Sequence, residues 1–253
     1  MAELVLSARG MSRRFGGLYA NRDVSLDMHK GILHAVLGPN GAGKSTLINL
    51  LSGDLPPSAG QILYRGQDIS GWSPDKRSRA GIGRSYQRTN IFPAFTVFEN
   101  CRLAAQSRAP RALRIFSKAI SFADLRDAAD RAIAQAGLAE RRDVVAATLS
   151  HGEQRQLEIA MVLATSPSVL LLDEPLAGMG PEESQSMVAL LKKLTPDHAI
   201  LLVEHDMDAV FAVADVITVM VAGQVLESGP PDQIRDSVAV QEAYLGEGES
   251  DDE

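Results

Sequence analysis

The chain has 253 residues, of which 45% are apolar, so a disordered or fibrous protein is excluded and one large domain, or one domain with an inserted subdomain, is expected. Its formal net charge of −7 and its pI near 5.3 lack the basic character of a dedicated nucleic-acid binder. No stretch approaches the roughly 18 consecutive apolar residues of a membrane-spanning helix, and the start of the chain lacks a secretory signal, so we expect a soluble, cytoplasmic protein.

The first third of the chain contains mainly predicted strands. Short strands are expected at 3–7 and 24–28, joined by a turn-rich segment in which Phe15 fits either an exposed position or the core. The other predicted elements of this region are, in chain order, a strand at 32–37, a helix at 45–51, a small hairpin at 60–69 and a strand at 82–86.

The segment GPNGAGKST, residues 38–46, lies between the strand at 32–37 and the helix that follows it, and it satisfies the phosphate-binding pattern GxxxxGK[ST]. Its glycines let the backbone curl so that successive N–H groups face phosphate oxygens. Lys44 offers a charge to the β- and γ-phosphates, and Ser45 offers a hydroxyl to Mg²⁺ at the start of the helix. The sequence therefore predicts a nucleotide site here.

After Gln87 the composition changes to a block rich in Ala and Arg, which indicates helices up to about residue 165. Its charges alternate in sign, which favours a solvated helix face over a nucleic-acid surface. Strands then alternate with helices, the pattern of a mostly parallel sheet. The predicted elements are helices at 96–105, 122–136 and 153–164, strands at 169–172, 199–203 and 216–221 with helices at 182–194 and 207–213 between them, and a last hairpin through Gly223.

The helical block is therefore an insertion into an α/β domain, and the chain is predicted to be one domain, 1–253. The nucleotide-binding core with its β subdomain covers 1–88 and 166–245, and the helical subdomain covers 89–165. The last residues, 246–253, form an acidic tail that we expect to be disordered.

Two strands deliver polar side chains to one edge of the predicted sheet. The apolar run at 169–172 ends in Asp173, which can hold Mg²⁺ through water, and Glu174, which can orient and polarise the attacking water. The strand at 199–203 is followed by His205, which can donate a hydrogen bond to a γ-phosphate, since ligands bind at the carboxyl ends of parallel strands.

Ser150 and Glu153 have the spacing of a capping box before an apolar helix face. A helix start is an anion site, although capping alone explains this pair. The single cysteine, Cys101, has no flanking metal-ligand pattern, so we expect a packed thiol in a reducing compartment.

Taken together, the motifs resemble the ATP-binding subunit of an ABC transporter over nearly the whole chain. GPNGAGKST is similar to Walker A, Gln87 in RSYQ to the Q-loop, LSHGE to the signature, LLLDEP to Walker B, His205 to the H-loop, and Phe15 to the A-loop aromatic that stacks on adenine. The resemblance implies ATP and Mg²⁺ as cofactors and an α/β fold with a P-loop NTPase core of mostly parallel sheet, an antiparallel β subdomain and an inserted α-helical subdomain.

The same resemblance assigns roles residue by residue. It implies catalytic roles for Lys44, Gln87, Glu174 and His205, metal ligation by Ser45, Gln87 and Asp173, and nucleotide contacts from Phe15, Gly38, Pro39, Asn40, Gly41, Ala42, Gly43, Lys44, Ser45, Thr46, Ser150, Gly152 and Glu153.

The chain departs from the family pattern in two places. The signature, usually LSGGQ, has His151 as its third residue and Glu153 as its fifth, while Ser150 and Gly152 are retained. The D-loop, usually SALD, is AGMG at 177–180, so its aspartate is absent. The contacts that the family makes through the signature Ser and Gly are therefore expected of Ser150 and Gly152 in this chain. The contact that the family makes through the D-loop aspartate is not expected here.

Within the family, the segments FGGLYA, IFPAFTVFEN, DEPLAGMGPEE, LLVEHDMDAVF and EAYLG are most similar to ATP-binding subunits of branched-chain amino acid importers. Urea and other amide importers share much of this pattern, and lipid or lipopolysaccharide exporters have a nearly identical motif set. A soluble ABC ATPase acting on nucleic acid or ribosomes is a further alternative, but such proteins carry a long coiled coil or two ATPase halves.

The resemblance implies a head-to-tail dimer with a second ATP-binding subunit, identical or homologous, in which each ATP lies between Walker A of one subunit and the signature of the other. It also implies permease subunits as partners, contacted through the apolar segment 89–100, and a periplasmic solute-binding protein as an indirect partner, with no nucleic acid. The expected location is the cytoplasmic face of the inner membrane, peripheral through the permease.

Overall fold

The computed structural model of the protein describes residues 2–85, 90–107 and 121–245. Gln87 and the acidic tail at 246–253 lie outside the described residues, as does residue 89 at the start of the apolar segment. The described part consists of two β-sheets and the helices packed against them. The predicted fold class is confirmed.

The larger sheet has six strands, five of them parallel, because helices connect most of its strands and return the chain to the same end. Its strand order is β10-β9-β3-β8-β7-β6, and only β10 runs antiparallel to its neighbour. The strands are β3 (Leu33–Leu37), β6 (Ile82–Arg84), β7 (Val169–Asp173), β8 (Ala199–Val203), β9 (Val216–Val221) and β10 (Gln224–Gly229).

The central strands β3, β7 and β8 are buried on both faces, so apart from His34 in β3 and the terminal Asp173 of β7 their sequences are apolar runs rather than alternating ones. Successive side chains of a strand point to opposite faces. On β3, Leu33, Ala35 and Leu37 therefore join the core beneath the helical block, whereas Val36 joins the core formed with α1 (Lys44–Ser52). The sheet thus separates two cores and fixes the edge at which its strands end.

The smaller sheet is antiparallel, in the order β2-β1-β4-β5. It consists of β1 (Leu4–Phe15), β2 (Leu18–His29), β4 (Ala59–Tyr64) and β5 (Gln67–Asp68). The first two strands are much longer than predicted, because the segment ARGMSRRF continues β1 through several register shifts instead of forming a turn. Its polar residues hid the strand pattern, but Met11 within it is fully buried.

The helical subdomain packs α3 (Val97–Gln106), α4 (Ser121–Gln135) and α5 (His151–Ala164) against one another. Two capping boxes start its helices: the Thr96 hydroxyl accepts from the Glu99 N–H, and the Ser150 hydroxyl accepts from the Glu153 N–H. Cys101 lies in this core with no exposed surface, and burial raises the pKa of its thiol to about 12, as expected of a packed cysteine.

The remaining helices flank the larger sheet, and three of them were not predicted. These helices are α2 (Pro74–Ala80), α6 (Pro181–Leu194), α7 (Met207–Val213), α8 (Pro231–Asp236) and α9 (Val238–Leu245), with short 3₁₀ helices at Ala139–Arg141, Ala146–Thr148 and Thr195–Asp197. The missed helices are α2, α8 and α9, each at most eight residues long and too short for a clear helical period. Within the described ranges, none of the helices has the length and apolar character needed to cross a membrane.

Candidate functional site

The phosphate-binding loop connects the end of β3 to the start of α1, so its backbone leads directly into a helix N-terminus. Lys44 begins that helix and is only 8% exposed. Its Nζ donates hydrogen bonds to the carbonyl oxygens of Gly38, at 2.5 Å, and Pro39, at 2.9 Å. The loop backbone therefore surrounds the Lys44 ammonium group, whose N–H donors point towards the loop carbonyls.

Two glycines are required by the way the loop is held. Gly38 and Gly43 have φ values of +151° and +93°, in the left-handed region that favours glycine. A Cβ on Gly43 would collide with the carbonyl oxygen of Ala20, and one on Gly38 would collide with that of Met220. The buried Asn21 of β2 adds a hydrogen bond from its Nδ2 to the Gly43 carbonyl at 3.2 Å, so the smaller sheet fixes the end of the loop.

The carboxyl ends of β3, β8 and β7 lie side by side, since Val203 is the register partner of both Val36 and Asp173. Asp173 is 4% exposed, and burial raises the pKa of its carboxyl, with the Arg84 guanidinium opposing the rise. The charges of Glu174 and Lys44 also act on this carboxyl. The phosphate loop and the two carboxylates are thus in one electrostatic neighbourhood.

Arg84, at the end of β6, connects Asp173 to the far end of α1. Its guanidinium lies 2.6 Å from the Asp54 carboxylate and 3.5 Å from that of Asp173. It also donates to Asn49 Oδ1 at 2.6 Å and to Ser52 Oγ at 2.9 Å. This residue therefore partly neutralises the buried carboxylate that follows β7.

Glu174 follows Asp173 in a left-handed conformation, with φ of +50°, although it is not a glycine. Such a conformation costs roughly 1–2 kcal/mol and persists only where the surroundings impose it. Its N–H donates to the Val203 carbonyl at 2.9 Å, which ties the turn to β8. His205 lies two residues after the end of β8, with 64% of its side chain exposed, so its ring is accessible at the same sheet edge.

The signature residues form a second group at the start of α5, and their hydrogen bonds join them to α6. Glu183 occupies this helix start: its Oε1 accepts from Ser150 Oγ at 3.1 Å and from the Gly152 N–H at 3.0 Å. These donors, the Gly152 N–H above all, lower the pKa of the Glu183 carboxyl. Glu153 accepts from the Ser150 N–H at 2.9 Å and pairs with Arg141 at 2.7 Å. The Glu183 carboxylate therefore accepts hydrogen bonds from the same donors that this helix start would offer to a bound anion.

The two departures from the family pattern meet in space. Gly178, in the segment that lacks the D-loop aspartate, has φ of +77°, and a Cβ there would lie 3.4 Å from the ring of His151. The unusual signature residue therefore packs against the unusual D-loop.

Three further predicted site residues are Phe15, Ser45 and Gln87. Phe15, at the end of β1, is 47% exposed, with the guanidinium of Arg13 4.7 Å from its ring centroid, so the exposed of its two predicted positions is observed. Ser45 is exposed in the first turn of α1, and Gln87 lies outside the described residues.

Four residues of the site were missed in the sequence: Asn21, Arg84, Glu183 and Glu204. Asn21, Arg84 and Glu183 reach the site through contacts between elements distant in the chain, for which the sequence has no local signal. Glu204 had one, because it is an acid directly after an apolar strand and before His205.

Comparison with known proteins gives matches along most of the chain. A family model described as ABC transporter matches residues 21–177, and a model described as branched-chain amino acid ATP-binding cassette transporter matches residues 224–250. The high-affinity branched-chain amino acid transport ATP-binding protein LivG of Escherichia coli K12 is 38% identical over 256 residues, covering 98% of this chain and 100% of LivG. BraF of Pseudomonas aeruginosa, described in the same words, is 38% identical over 255 residues, covering 98% of this chain and 100% of BraF. The solved structure of an ATP-binding cassette of an ABC transporter, in its ADP conformation, is similar with a TM-score of 0.85 and 28% identity, over 96% of this chain and 99% of that one.

Proposed function

This chain belongs to the family of ABC transporter ATP-binding subunits and is an ATPase, and on that premise we propose that it powers the import of branched-chain amino acids through a membrane permease. The proposal of this solute rests on the names of LivG and BraF, each about as long as this chain, and on the second family model at the C-terminal end.

The observation that carries the ATPase mechanism is the meeting of three strand ends. The phosphate loop with Lys44 follows β3, Asp173 and Glu174 follow β7, and His205 follows β8. We assign the phosphates of ATP to the loop at 38–46. The adenine ring is assigned to Phe15, which is 47% exposed and already lies against the guanidinium of Arg13.

The donor set at this edge suits Mg²⁺, which prefers oxygen ligands and keeps several waters. Ser45 offers an exposed hydroxyl, and Asp173 a buried carboxylate, next to the loop. We therefore propose Ser45 and Asp173 as ligands, with Gln87 as the third. Bound there with ATP, Mg²⁺ would neutralise charge on the β- and γ-phosphates.

In the proposed reaction, Glu174 orients a water molecule and accepts its proton as the water oxygen bonds to the γ-phosphorus. The bond between the γ-phosphorus and the β–γ bridging oxygen breaks, which gives ADP and inorganic phosphate. Lys44 holds the phosphate charge, and His205 donates a hydrogen bond to a γ-phosphate oxygen. Lys44 approaches the phosphates from the start of α1 and His205 from the end of β8, so the sheet and this helix position the reacting groups.

The signature residues serve the nucleotide of the second subunit in this proposal. Ser150, Gly152 and Glu153 lie at the start of α5, where Ser150 and Gly152 contact Glu183 of α6 and Glu153 pairs with Arg141. The γ-phosphate bound to the second subunit would displace the Glu183 carboxylate from the Ser150 and Gly152 donors. Closure of the head-to-tail dimer on ATP then moves the two helical subdomains together.

The permease-docking segment is assigned to residues 89–100, where two aromatic rings face solvent. Phe92 and Phe95 are 47% and 41% exposed, with ring centroids 5.4 Å apart. The buried Asn100 fixes this turn, since it accepts from the Phe92 N–H at 2.8 Å and donates to the Phe92 carbonyl at 3.1 Å. The other three apolar residues of the segment, Ile91, Val97 and Phe98, pack wholly or partly against the core. A rigid, exposed aromatic pair is typical of a partner site.

Substituting Phe95 with Asp is expected to leave ATP binding unchanged and to prevent co-purification with the permease, because a charge replaces an apolar contact at the centre of the docking segment. Leu226→Asp is the matched control, since Leu226 is 42% exposed on β10, at the sheet edge opposite β6. Co-purification of the Phe95 variant with normal uptake would place the docking site elsewhere.

In this proposal the chain lies at the cytoplasmic face of the inner membrane. It is attached there through the permease and serves a periplasmic solute-binding protein indirectly.

The test of the proposed function is uptake of radiolabelled leucine by the reconstituted permease, solute-binding protein and ATPase. We expect uptake to require this chain and ATP and to be competed by isoleucine and valine. Leucine uptake that persists without the chain, or competition by urea alone, would contradict the proposed solute.

A further inference from the structure

Glu204 is a buried carboxylate at the reacting edge of the sheet that the proposed mechanism leaves without a role. It lies between the end of β8 and His205 and has no exposed surface. Burial raises the pKa of its carboxyl, and the charges of His205 and Glu174 also act on it. An acid in such a place is costly unless donors surround it.

The two carboxylate oxygens of Glu204 accept from two different loops. Oε1 accepts from the Leu176 N–H at 2.7 Å, and Oε2 accepts from the His205 N–H at 3.2 Å. Leu176 follows Glu174 by two residues, so the first bond fixes the turn after β7. The second bond fixes the backbone of His205, the second residue after β8. One side chain therefore connects the backbones that carry both Glu174 and His205.

The turn that Glu204 holds is a strained one. Glu174 has φ of +50°, and its carbonyl accepts from the Ala177 N–H at 3.2 Å, which closes a tight turn around Leu176. Without outside contacts, a non-glycine residue leaves this conformation easily. The bond from Leu176 to Glu204 and the bond from Glu174 to Val203 both tie this turn to the chain at the end of β8.

We propose that Glu204 is a positioning residue for hydrolysis. Its carboxylate holds Glu174 in place by accepting from the Leu176 N–H, and it holds His205 in place by accepting from the His205 N–H. This inference rests on the proposed roles of Glu174 and His205. It explains why the residue is an acid: both partners are N–H donors, and a carboxylate is an acceptor only. A glutamine would satisfy one of them and present its own NH₂ donor to the other.

Glu204→Gln is therefore expected to lower kcat for ATP hydrolysis by about tenfold to a hundredfold, the scale of a misplaced catalytic group. KM and the affinity for ATP should change by less than about twofold, since no phosphate-binding group moves. Asp215→Asn is the matched control, because Asp215 also accepts from a backbone N–H, that of Leu33, but at the opposite end of the sheet. It should retain normal kcat. Unchanged kcat in Glu204→Gln, or a loss confined to KM, would overturn the inference.

Two further variants separate positioning from general damage. Glu204→Asp keeps an acceptor-only group, so we expect it to retain more turnover than Glu204→Gln; the reverse order would count against the role. Because Glu204 acts in part through Glu174, the loss in the Glu204→Gln Glu174→Gln double variant should be smaller than the product of the two single losses. Losses that multiply would contradict this. Full turnover of Glu174→Gln alone would instead contradict the proposed function.

Discussion

Replacing Lys44 with alanine is expected to abolish measurable ATP binding, a loss of at least about a hundredfold. Charge-assisted hydrogen bonds to phosphate contribute roughly 1.5–3 kcal/mol each, and the ammonium also braces the loop through the Gly38 and Pro39 carbonyls. The variant therefore removes the counter-charge of the phosphates and the group that keeps the loop curled around it.

Titration with a fluorescent ATP analogue measures this loss. Lys192→Ala is the control, because Lys192 is an exposed lysine of α6 and its removal makes the same change in net charge. Unchanged affinity in Lys44→Ala would refute the assignment of the phosphate loop, provided that thermal unfolding shows both variants to be folded.

Glu174→Gln is expected to bind ATP and hydrolyse it at least roughly a hundredfold more slowly, the lower end of general-base contributions. Glutamine has nearly the same shape and leaves the backbone bond to Val203 in place, but it cannot accept the proton of the attacking water. Because ATP then persists between the subunits, we expect the dimer to accumulate.

Size-exclusion chromatography with ATP and Mg²⁺ should show that dimer, and phosphate release should show the loss of turnover. Glu242→Gln serves as the control, since Glu242 is an exposed acid of α9. A Glu174→Gln chain that stays monomeric and turns over ATP at the normal rate would exclude the general-base role.

The parallel core was predictable because its strands are buried on both faces. β3, β7 and β8 are almost entirely apolar, apart from the buried His34 of β3 and the terminal Asp173 of β7, and functional motifs follow them, so the strands and the functional edge could be identified together. The antiparallel sheet was harder, because the solvent face of β1 carries Arg and Ser in a segment that contains Gly10 at a register shift. Polar strand residues and turn residues are similar in composition, so pattern alone shortened the strand.

The site was predictable where one local motif carries the chemistry, and not where distant elements meet. The loop around Lys44 is contiguous in sequence, and the spacing of its glycines indicates its curled backbone conformation. By contrast, Glu183 reaches the signature through the packing of α6 on α5, and Arg84 reaches Asp173 across the sheet. Contacts of this kind depend on the three-dimensional fold, and no local sequence pattern indicates them.

The burial of Cys101 has a practical consequence for watching the subunits move. The chain contains one cysteine, and its thiol is fully buried with a pKa raised to about 12, so the reactive thiolate is scarce and inaccessible at neutral pH. A spectroscopic label can therefore be attached to a cysteine introduced on the surface without first removing the native one. Distances between such labels on two subunits would follow opening and closing in an otherwise unaltered chain.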